Sequence, residues 1–393
     1  MGLELNARER FQAIMAFEKP DRGLLWEMGF WRETIDRWYR EGMERRHGIP
    51  DNLNPGDGLR GEASPHNPFS NTRFRDRDVH EQLNMDPGLI CLPVASGPNP
   101  PFDPVVFDET EDFRVFQDEY GIRKRINKKE ASIPEYLEWQ VKDRRDFERL
   151  KEERFDPDFD ARVPNRWPEL LREYRGRDYP LTIGGPPFGF YGFLRYMMGE
   201  ERLLTGFYDD PKLVADMMSF FADFWIELWE QALAEIEVDC AHFWEDMAYR
   251  SGPLISPDMF RTFMMPCYKR ICGFLKSHGV GVILVDCDGN LDQLIPLFLE
   301  SGLTGVYPCE VQAGNDVVTM RRRYPGLHIL GGLDKIRLAR GRVAIDQILD
   351  AVPREMYEGG GYVPFVDHLV SPEMGWEDFL YYRRRLGEKI GRQ

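Results

Sequence analysis

Ile283-Leu284-Val285-Asp286-Cys287-Asp288-Gly289-Asn290 is an apolar run that ends in two carboxylates and a glycine. Such a run is typical of a buried parallel strand whose last residues face a site. Because side chains alternate along a strand, Asp286 and Asp288 are predicted to share one face, with Cys287 on the other. Two neighbouring carboxylates at the end of a buried strand repel each other and resist desolvation. The pair therefore predicts a site that holds a cation, a proton or a hydrogen-bonding ligand.

Seven further short apolar runs alternate with helical patterns along the chain. The eight predicted strands cover residues 23–28, 89–93, 181–185, 238–244, 280–286, 305–308, 328–331 and 362–366. The main predicted helices cover residues 9–17, 211–235, 257–278, 291–301, 316–323 and 345–357. This alternation predicts an α/β fold with a parallel sheet, and eight repeats predict a (β/α)8 TIM barrel. The active site of such a barrel lies at the carboxyl ends of its strands.

The chain is predicted to form a single domain over residues 1–393, with an insertion at residues 52–178. Residues 52–72 are rich in Gly, Pro and Asn and are expected to be irregular. Residues 143–177 are highly charged with scattered apolar positions, and we expect surface helix and loop there.

A hairpin is predicted within the insertion. Residues 113–117 and 122–127 have β-strand character, and Gly121 stands in the short turn between them. The hairpin would be an addition to the barrel.

The overall charge argues against polyanionic partners. The 393 residues include 51 Lys and Arg and 67 Asp and Glu, so the net charge is 51 − 67 = −16. An acidic surface repels nucleic acids and anionic membranes, and we expect neither as a partner. The sequence has no signal-peptide pattern, and its six cysteines lack C-x-x-C spacing. We therefore expect a reduced, cytoplasmic enzyme without a membrane span.

Polar and aromatic residues collect at the predicted strand ends. The candidate site residues there are Glu27, Trp31, Arg32, Phe188, Glu245, Asp286, Asp288, Tyr307, Glu310, Asp334, Asp367 and His368. Acidic residues at most of the strand ends would form an anionic pocket. Such a pocket suits a divalent metal or a cationic substrate.

Several of these residues also have a purely structural explanation. Asp246, which follows Glu245, would help the N-terminus of the next helix. Glu310 and Asp334 would form ion pairs with neighbouring basic residues, and His242 would be a core histidine. The aspartate pair is the hardest to explain in this way, because glycine follows it and no basic residue is adjacent.

The order of several motifs resembles that of the uroporphyrinogen decarboxylase superfamily. The motifs are Arg8-Glu9-Arg10-Phe11 with Lys19-Pro20-Asp21-Arg22, Glu245-Asp246-Met247-Ala248 with Pro253-Leu254-Ile255-Ser256-Pro257, Asp286-Cys287-Asp288-Gly289-Asn290, Gly331-Gly332-Leu333-Asp334-Lys335, and Gly360-Gly361-Tyr362 with Asp367-His368. The resemblance spans about the whole chain. It implies the same barrel, in a divergent branch related to corrinoid-dependent methyltransferases.

The chain departs from both chemistries known in that superfamily. The decarboxylases use an arginine-rich N-terminal loop for a polycarboxylate substrate, whereas Arg32 is here accompanied by Glu27 and Asp36. The methyltransferases hold zinc with a His-x-Cys pair, and Asp286 and Asp288 stand in its place. Tetrapyrrole decarboxylation is therefore disfavoured, and hard oxygen ligands replace soft sulfur.

The resemblance implies a metal-assisted methyltransferase or demethylase as the first interpretation. Asp286, Asp288 and His368 would bind a divalent metal, with zinc as the first choice, and Glu245 would join them as a catalytic residue. The residues that would bind a small methylated substrate are Glu27, Trp31, Arg32, Phe188, Tyr307, Glu310 and Asp334. The methyl group would pass to a thiol or to a separate corrinoid protein, since the chain has no Asp-x-His-x-x-Gly run. A homodimer is expected.

Two other interpretations stay open. A metal-free decarboxylase or lyase would use the paired carboxylates as proton donors. A catalytically inactive barrel would only bind a cationic ligand or partner. Metal content distinguishes the first interpretation from the second, and absence of turnover would favour the third.

Overall fold

The protein is described by a computed structural model over residues 4–49, 58–59, 76–129 and 134–391. A curled parallel sheet with helices on its outer side forms the centre of the fold, and a separate antiparallel sheet lies in the first half of the chain. The irregular segment predicted at residues 52–72 lies outside the described residues, apart from positions 58 and 59.

The strands, in chain order, are β1 (Phe30–Trp31), β2 (Gly58–Leu59), β3 (Ile90–Cys91), β4 (Val105–Glu109), β5 (Phe113–Gln117), β6 (Arg123–Asn127), β7 (Glu135–Glu138), β8 (Leu181–Gly184), β9 (Cys240–Trp244), β10 (Ala248–Tyr249), β11 (Gly252–Pro253), β12 (Ile283–Asp286), β13 (Gly305–Tyr307), β14 (His328–Leu330) and β15 (Tyr362–Val363).

The helices are α1 (Ala7–Met15), α2 (Arg32–Arg40), α3 (Arg77–Leu83), α4 (Arg144–Arg154), α5 (Trp167–Arg175), α6 (Phe190–Met198), α7 (Glu200–Asp209), α8 (Pro211–Glu235), α9 (Pro257–Met259), α10 (Met265–Ser277), α11 (Ile295–Ser301), α12 (Val317–Arg323), α13 (Lys335–Leu338), α14 (Arg342–Ala351), α15 (Arg354–Glu358) and α16 (Trp376–Lys389). A π-helical turn covers Phe260–Met264, and a 3-10 turn covers Val311–Ala313.

The parallel sheet has the strand order of a TIM barrel. Its seven strands follow the chain from one edge to the other, in the order β3-β8-β9-β12-β13-β14-β15. Each lies within a strand predicted from the sequence, and helices such as α8, α10 and α14 lie between successive strands along the chain. The predicted TIM-barrel type of α/β fold is thus confirmed, with strands shorter than expected.

The strand predicted at residues 23–28 is wrong, because no strand ladder forms there. The amide of Gly23 donates to the carbonyl of Ile390 at 2.7 Å, and the amide of Leu25 donates to the carboxylate of Asp86 at 2.9 Å. Neighbouring strands are therefore not the partners of these amides. The segment still takes the place of the eighth barrel strand, because three of its apolar side chains pack in the barrel interior: Leu24, Trp26 and Met28.

Alternate residues of the parallel strands point into the barrel. The interior cluster includes Cys240, Leu284, Tyr307, Leu330 and Val363. Val285 and Cys287 instead pack in the outer core with residues of the surrounding helices. The predicted alternation is therefore confirmed, and it aims Asp286 at the barrel axis at the carboxyl end of β12.

The predicted hairpin is part of a larger antiparallel sheet. The described structure has strands β5 and β6 where the hairpin was expected, and the turn contains Gly121 at φ 79°. Strands β4 and β7 extend it to four strands in the order β4-β5-β6-β7. Residues 52–178 contain this sheet together with α4 and α5, but they also contain the barrel strand β3.

The helix predicted over residues 257–278 is interrupted between α9 and α10 by the π-helical turn. The amide of Met265 donates to the carbonyl of Phe260, five residues back. Pro266 explains the change, because proline has no N–H and its ring would collide with the carbonyl four residues earlier. The turn positions Tyr268, whose ring stacks on that of Phe260 at a centroid distance of 5.8 Å.

None of the helices in the described ranges is both long and apolar enough to cross a lipid bilayer. The longest, α8, buries one face in the outer core and carries Asp223, Glu227 and Glu230 along its length.

His242 in β9 is expected to make stability fall in acid. It is fully buried, its Nδ1 lies 3.1 Å from the hydroxyl of Thr182, and burial lowers its pKa to about 3. The unfolded chain takes up a proton at this histidine as pH falls through about 6.5, whereas the folded chain does not until about 3. This one residue should therefore lower the free energy of unfolding by roughly 2 kcal/mol between pH 7 and pH 5.

Chemical denaturation of the wild type and of His242→Gln at both pH values measures the effect. Other groups titrate in both proteins, so the difference in unfolding free energy between the two proteins isolates the histidine. We expect the free energy of unfolding to fall more in the wild type than in the variant as the pH falls. A difference that stays constant between pH 7 and pH 5 would contradict the assignment.

Candidate functional site

Three carboxylates meet at the carboxyl ends of two neighbouring barrel strands. One oxygen each from Asp246, Asp286 and Asp288 lies within 4.8 Å of the others. Asp286 ends β12 and is the register partner of Trp244, the last residue of β9. The amide of Glu245 donates to the carbonyl of Asp286 at 2.9 Å, so the ladder continues just beyond the strand ends. Strand pairing therefore brings the loop after β9 onto the aspartate pair.

The sequence analysis did not include Asp246 in the site. Its backbone is left-handed at φ 43°, which turns the chain directly after the strand. One carboxylate oxygen accepts from the amide of Asp288 at 3.3 Å, and the other accepts from the indole N–H of Trp244 at 3.0 Å. The guanidinium of Arg195 lies 3.5 Å from that second oxygen. The carboxylate is thus held beside the aspartate pair, which is not the helix-terminus role expected from sequence.

His368 lies at the edge of the carboxylate group. Its Nε2 is 3.8 Å from a carboxylate oxygen of Asp288. The ring of Trp31 stacks on the imidazole at a centroid distance of 6.2 Å and an interplanar angle of 25°. Two predicted catalytic residues and one predicted substrate-binding residue are therefore brought together. Arg32, next in the chain, forms an ion pair with Asp36 at 3.5 Å.

Glu245 lies behind this group and is fully buried. Its carboxylate accepts from the amides of Phe190 (2.8 Å) and Gly192 (3.0 Å), and from the hydroxyl of Tyr268. Those amides belong to the first turn of α6, so Glu245 caps a helix from a distant part of the chain. Burial raises its pKa to about 7, although the three donors favour the carboxylate. Its contacts are structural, and it does not belong to the three-carboxylate group.

The loops after the last strands are tied together by Asp367. Its two carboxylate oxygens accept from the amides of Val311 (2.8 Å) and Lys335 (2.9 Å). The residue is fully buried, and this burial raises its pKa to about 6. Because Asp367 directly precedes His368, these bonds fix the backbone that carries the imidazole.

Glu310 connects the same loops to the aspartate pair. It accepts from the amide of Gly289 at 3.1 Å and forms an ion pair with Lys335 at 3.1 Å. Asp334 accepts from the amides of Ile336 and Arg337 and so caps α13, where it also accepts from a glutamine side chain. Glu310 therefore has the ion-pair partner that the sequence suggested, whereas Asp334 caps a helix and, among the described residues, does not pair with a basic side chain.

Two of the predicted substrate-binding residues lie outside the carboxylate group. Glu27 is buried in an ion pair with Arg383, and Phe188 is buried against Phe243 at a centroid distance of 4.3 Å. Packing accounts for the positions of both. Tyr307 is the register partner of Asp286 on the neighbouring strand β13, and it is fully buried in the barrel interior.

A cleft of about 610 Å³ opens beside Asp246. Four aromatic residues line it together with Arg195 and two glutamates of α7: Tyr136, Trp139, Tyr196 and Trp244. One wall comes from β7 and the residues after it, and the others come from α6, α7 and the end of β9. Sequence patterns did not predict this cleft, because its walls are far apart along the chain.

Comparisons with known proteins agree with the fold. A solved structure of a methyltransferase from Methanosarcina mazei is similar over 98% of this chain and 99% of that chain, with a TM-score of 0.58. The sequence identity is 16%, so this similarity bears on the fold alone. No curated protein matches the chain significantly. The family model for uroporphyrinogen decarboxylase (URO-D) matches residues 125–381, well over half of the 393 residues. The chain therefore belongs to the uroporphyrinogen decarboxylase family.

Proposed function

We propose that this protein is a metal-assisted methyltransferase or demethylase that acts on a small methylated substrate. The proposal is carried by the group Asp246, Asp286 and Asp288, in which an oxygen of each carboxylate lies within 4.8 Å of the others. Carboxylates at this spacing repel one another unless a cation or protons compensate their charge. A divalent cation is the ligand that this charge distribution favours.

The available donor atoms fit a hard or borderline cation. Carboxylate oxygens with the imidazole of His368 suit zinc, manganese or ferrous iron, whereas oxygen donors alone suit magnesium. Cys287 lies between two of the aspartates in sequence but packs in the outer core. Burial raises the pKa of its thiol well above the ordinary value, so a thiolate ligand is not expected there. Zinc remains the first cation to test, with oxygen and nitrogen ligands.

A divalent cation bound there would act as a Lewis acid toward the oxygen or nitrogen that carries the methyl group. The chain's own residues keep the ligands in place, since Trp244 and Arg195 hold Asp246, and Asp367 holds the backbone of His368. When the carbon–heteroatom bond breaks, the heteroatom keeps the electron pair and takes up a proton. The methyl group passes to a nucleophile, either a thiol or a reduced corrinoid on a separate protein. Family membership and the methyltransferase-like fold support this chemistry in outline.

Elemental analysis of the purified protein, prepared without chelator, tests the proposal. We expect about one equivalent of a divalent metal per chain, because the group offers one set of ligands. Asp288→Asn should lose this metal, whereas Asp258→Asn should retain it, since the Asp258 side chain is 96% exposed and lies outside the group. A folded wild-type protein that binds neither zinc nor manganese would contradict the proposal and favour a metal-free lyase.

A further inference from the structure

The aromatic cleft shares Asp246 with the three-carboxylate group, and two more of its lining residues, Arg195 and Trp244, hold that carboxylate. We infer that this cleft binds the substrate, and that the substrate is a planar aromatic molecule with its methyl-bearing heteroatom directed toward Asp246. The inference rests on the proposed function for the direction of the heteroatom. The class of ligand follows from the walls of the cleft alone.

The rings of the cleft are held in fixed positions. Tyr196 and Trp244 meet edge to face at a centroid distance of 4.7 Å, and the indole of Trp244 is tied to Asp246. Trp139 lies over Gly199, where an added Cβ would stand 2.9 Å from the indole ring. Glycine at this position therefore lets the ring lie against the backbone. Fixed, partly exposed rings favour a flat ligand, because stacked and edge-to-face contacts need little reorganisation.

A cation already lies over one face of three of these rings. The ammonium of Lys124 lies 5.2 Å from the ring centre of Tyr136 and 5.6 Å from that of Tyr196. The guanidinium of Arg195 lies 5.1 Å from the ring centre of Trp244. A quaternary ammonium ligand would compete with these cations and be repelled by them. The cleft is therefore a poor cage for a methylated ammonium compound, in spite of its aromatic walls.

The charges of the cleft also disfavour a polycarboxylate. Arg195 is paired with Asp246 at 3.5 Å and with Glu200 at 4.0 Å. Glu200 and Glu201 add negative charge to the lining. A substrate with several carboxylates would meet this acidic lining and be repelled. An uncharged aromatic ring is repelled neither by the cations over the rings nor by the acidic lining.

The size of the cleft fits a ligand with one or two rings. About 610 Å³ lies within the range of pockets that bind small organic molecules. Asp246 both lines the cleft and belongs to the three-carboxylate group, so a ring stacked near Trp244 lies next to the candidate cation site. A methyl aryl ether has the required shape and the required heteroatom.

Direct binding of methoxybenzene tests the inference, with tetramethylammonium as the competing ligand class. Isothermal titration on the wild type, with and without chelator, should show that methoxybenzene binds in both conditions and that tetramethylammonium does not. Trp139→Ala should weaken methoxybenzene binding about tenfold, whereas Trp139→Phe should keep most of it. Tyr208→Ala removes a ring that is 75% exposed on α7, and it should leave the affinity unchanged.

The possible failures are distinguishable. Binding of tetramethylammonium but not of methoxybenzene would overturn the inference, and so would methoxybenzene binding that Trp139→Ala leaves unchanged. If Trp139→Ala does not fold, Tyr136→Leu replaces it as the test, because it changes a second wall of the cleft. Weaker methoxybenzene binding by Tyr136→Leu would support the inference, and unchanged binding would contradict it. A protein that binds metal but no aromatic ligand contradicts this inference alone. One that binds methoxybenzene but no metal supports the aromatic cleft and contradicts the metal-assisted chemistry.

Discussion

Replacing Asp246 by asparagine is expected to lower the affinity for a divalent cation by about 100-fold or more, and to abolish turnover with it. The substitution removes one of three negative charges within 4.8 Å but keeps the size of the side chain. Asparagine also tolerates the left-handed backbone at φ 43°, so the turn after β9 should survive. The loss of affinity therefore reports on the charge and not on a distorted loop.

Titration of zinc and manganese into metal-free Asp246→Asn and into wild type measures this effect. Asp258→Asn serves as the matched control, because it makes the same chemical change at an exposed position. If Asp246→Asn bound the cation as tightly as wild type while Asp288→Asn did not, Asp246 would only position the aspartate pair. Equal affinity in all these variants would reject the site.

Replacing Glu245 by alanine should lower the free energy of unfolding by about 3–5 kcal/mol. The carboxylate is fully buried and satisfies two amides at the start of α6 as well as the hydroxyl of Tyr268. Alanine leaves all three donors buried without a partner, and it leaves a cavity among packed rings. The effect is on folding, since this residue lies behind the three-carboxylate group.

Denaturant unfolding at pH 7 measures the loss. Glu245→Gln keeps one acceptor oxygen but places an amide N–H₂ against the backbone donors, so we expect a smaller loss of about 1–3 kcal/mol. Glu237→Ala is the control, because its side chain is 91% exposed and its removal should change stability by less than about 0.5 kcal/mol. A Glu245→Ala protein as stable as wild type would show that α6 does not depend on this cap.

Local sequence patterns predicted much of the barrel. The alternation around Asp286 and Cys287 placed each residue on its correct side of the sheet, because period-two burial is a property of the strand itself. Residues 23–28 are also mostly apolar, and three of their side chains do pack in the interior: Leu24, Trp26 and Met28. Their hydrogen bonds go elsewhere, to Asp86 and Ile390, and no local pattern encodes partners that distant.

The candidate site was harder to predict than the fold. Asp246 is two residues beyond Trp244, and in an extended strand alternate residues face the same side. Continuing the alternation from the interior residue Cys240 would have predicted that Asp246 faces the barrel interior. Its proximity to Glu245 and a following helix suggested a capping role instead. Glu245 was included as catalytic for its charge, but its donors come from Phe190 and Gly192, more than fifty residues away. Only the folded chain shows which of two neighbouring acids faces the site.

The aromatic cleft is formed by two parts of the fold, the barrel and the added antiparallel sheet. Pairing of β9 with β12 positions Asp286 and the loop that carries Asp246. Tyr136 instead lies in β7 of the added antiparallel sheet, and Trp139 directly follows that strand. Substitutions or length changes in that sheet would alter one wall while the strand ends keep their register. On the inference that the cleft binds the substrate, changes in the antiparallel sheet would alter substrate preference and leave the carboxylate site unchanged.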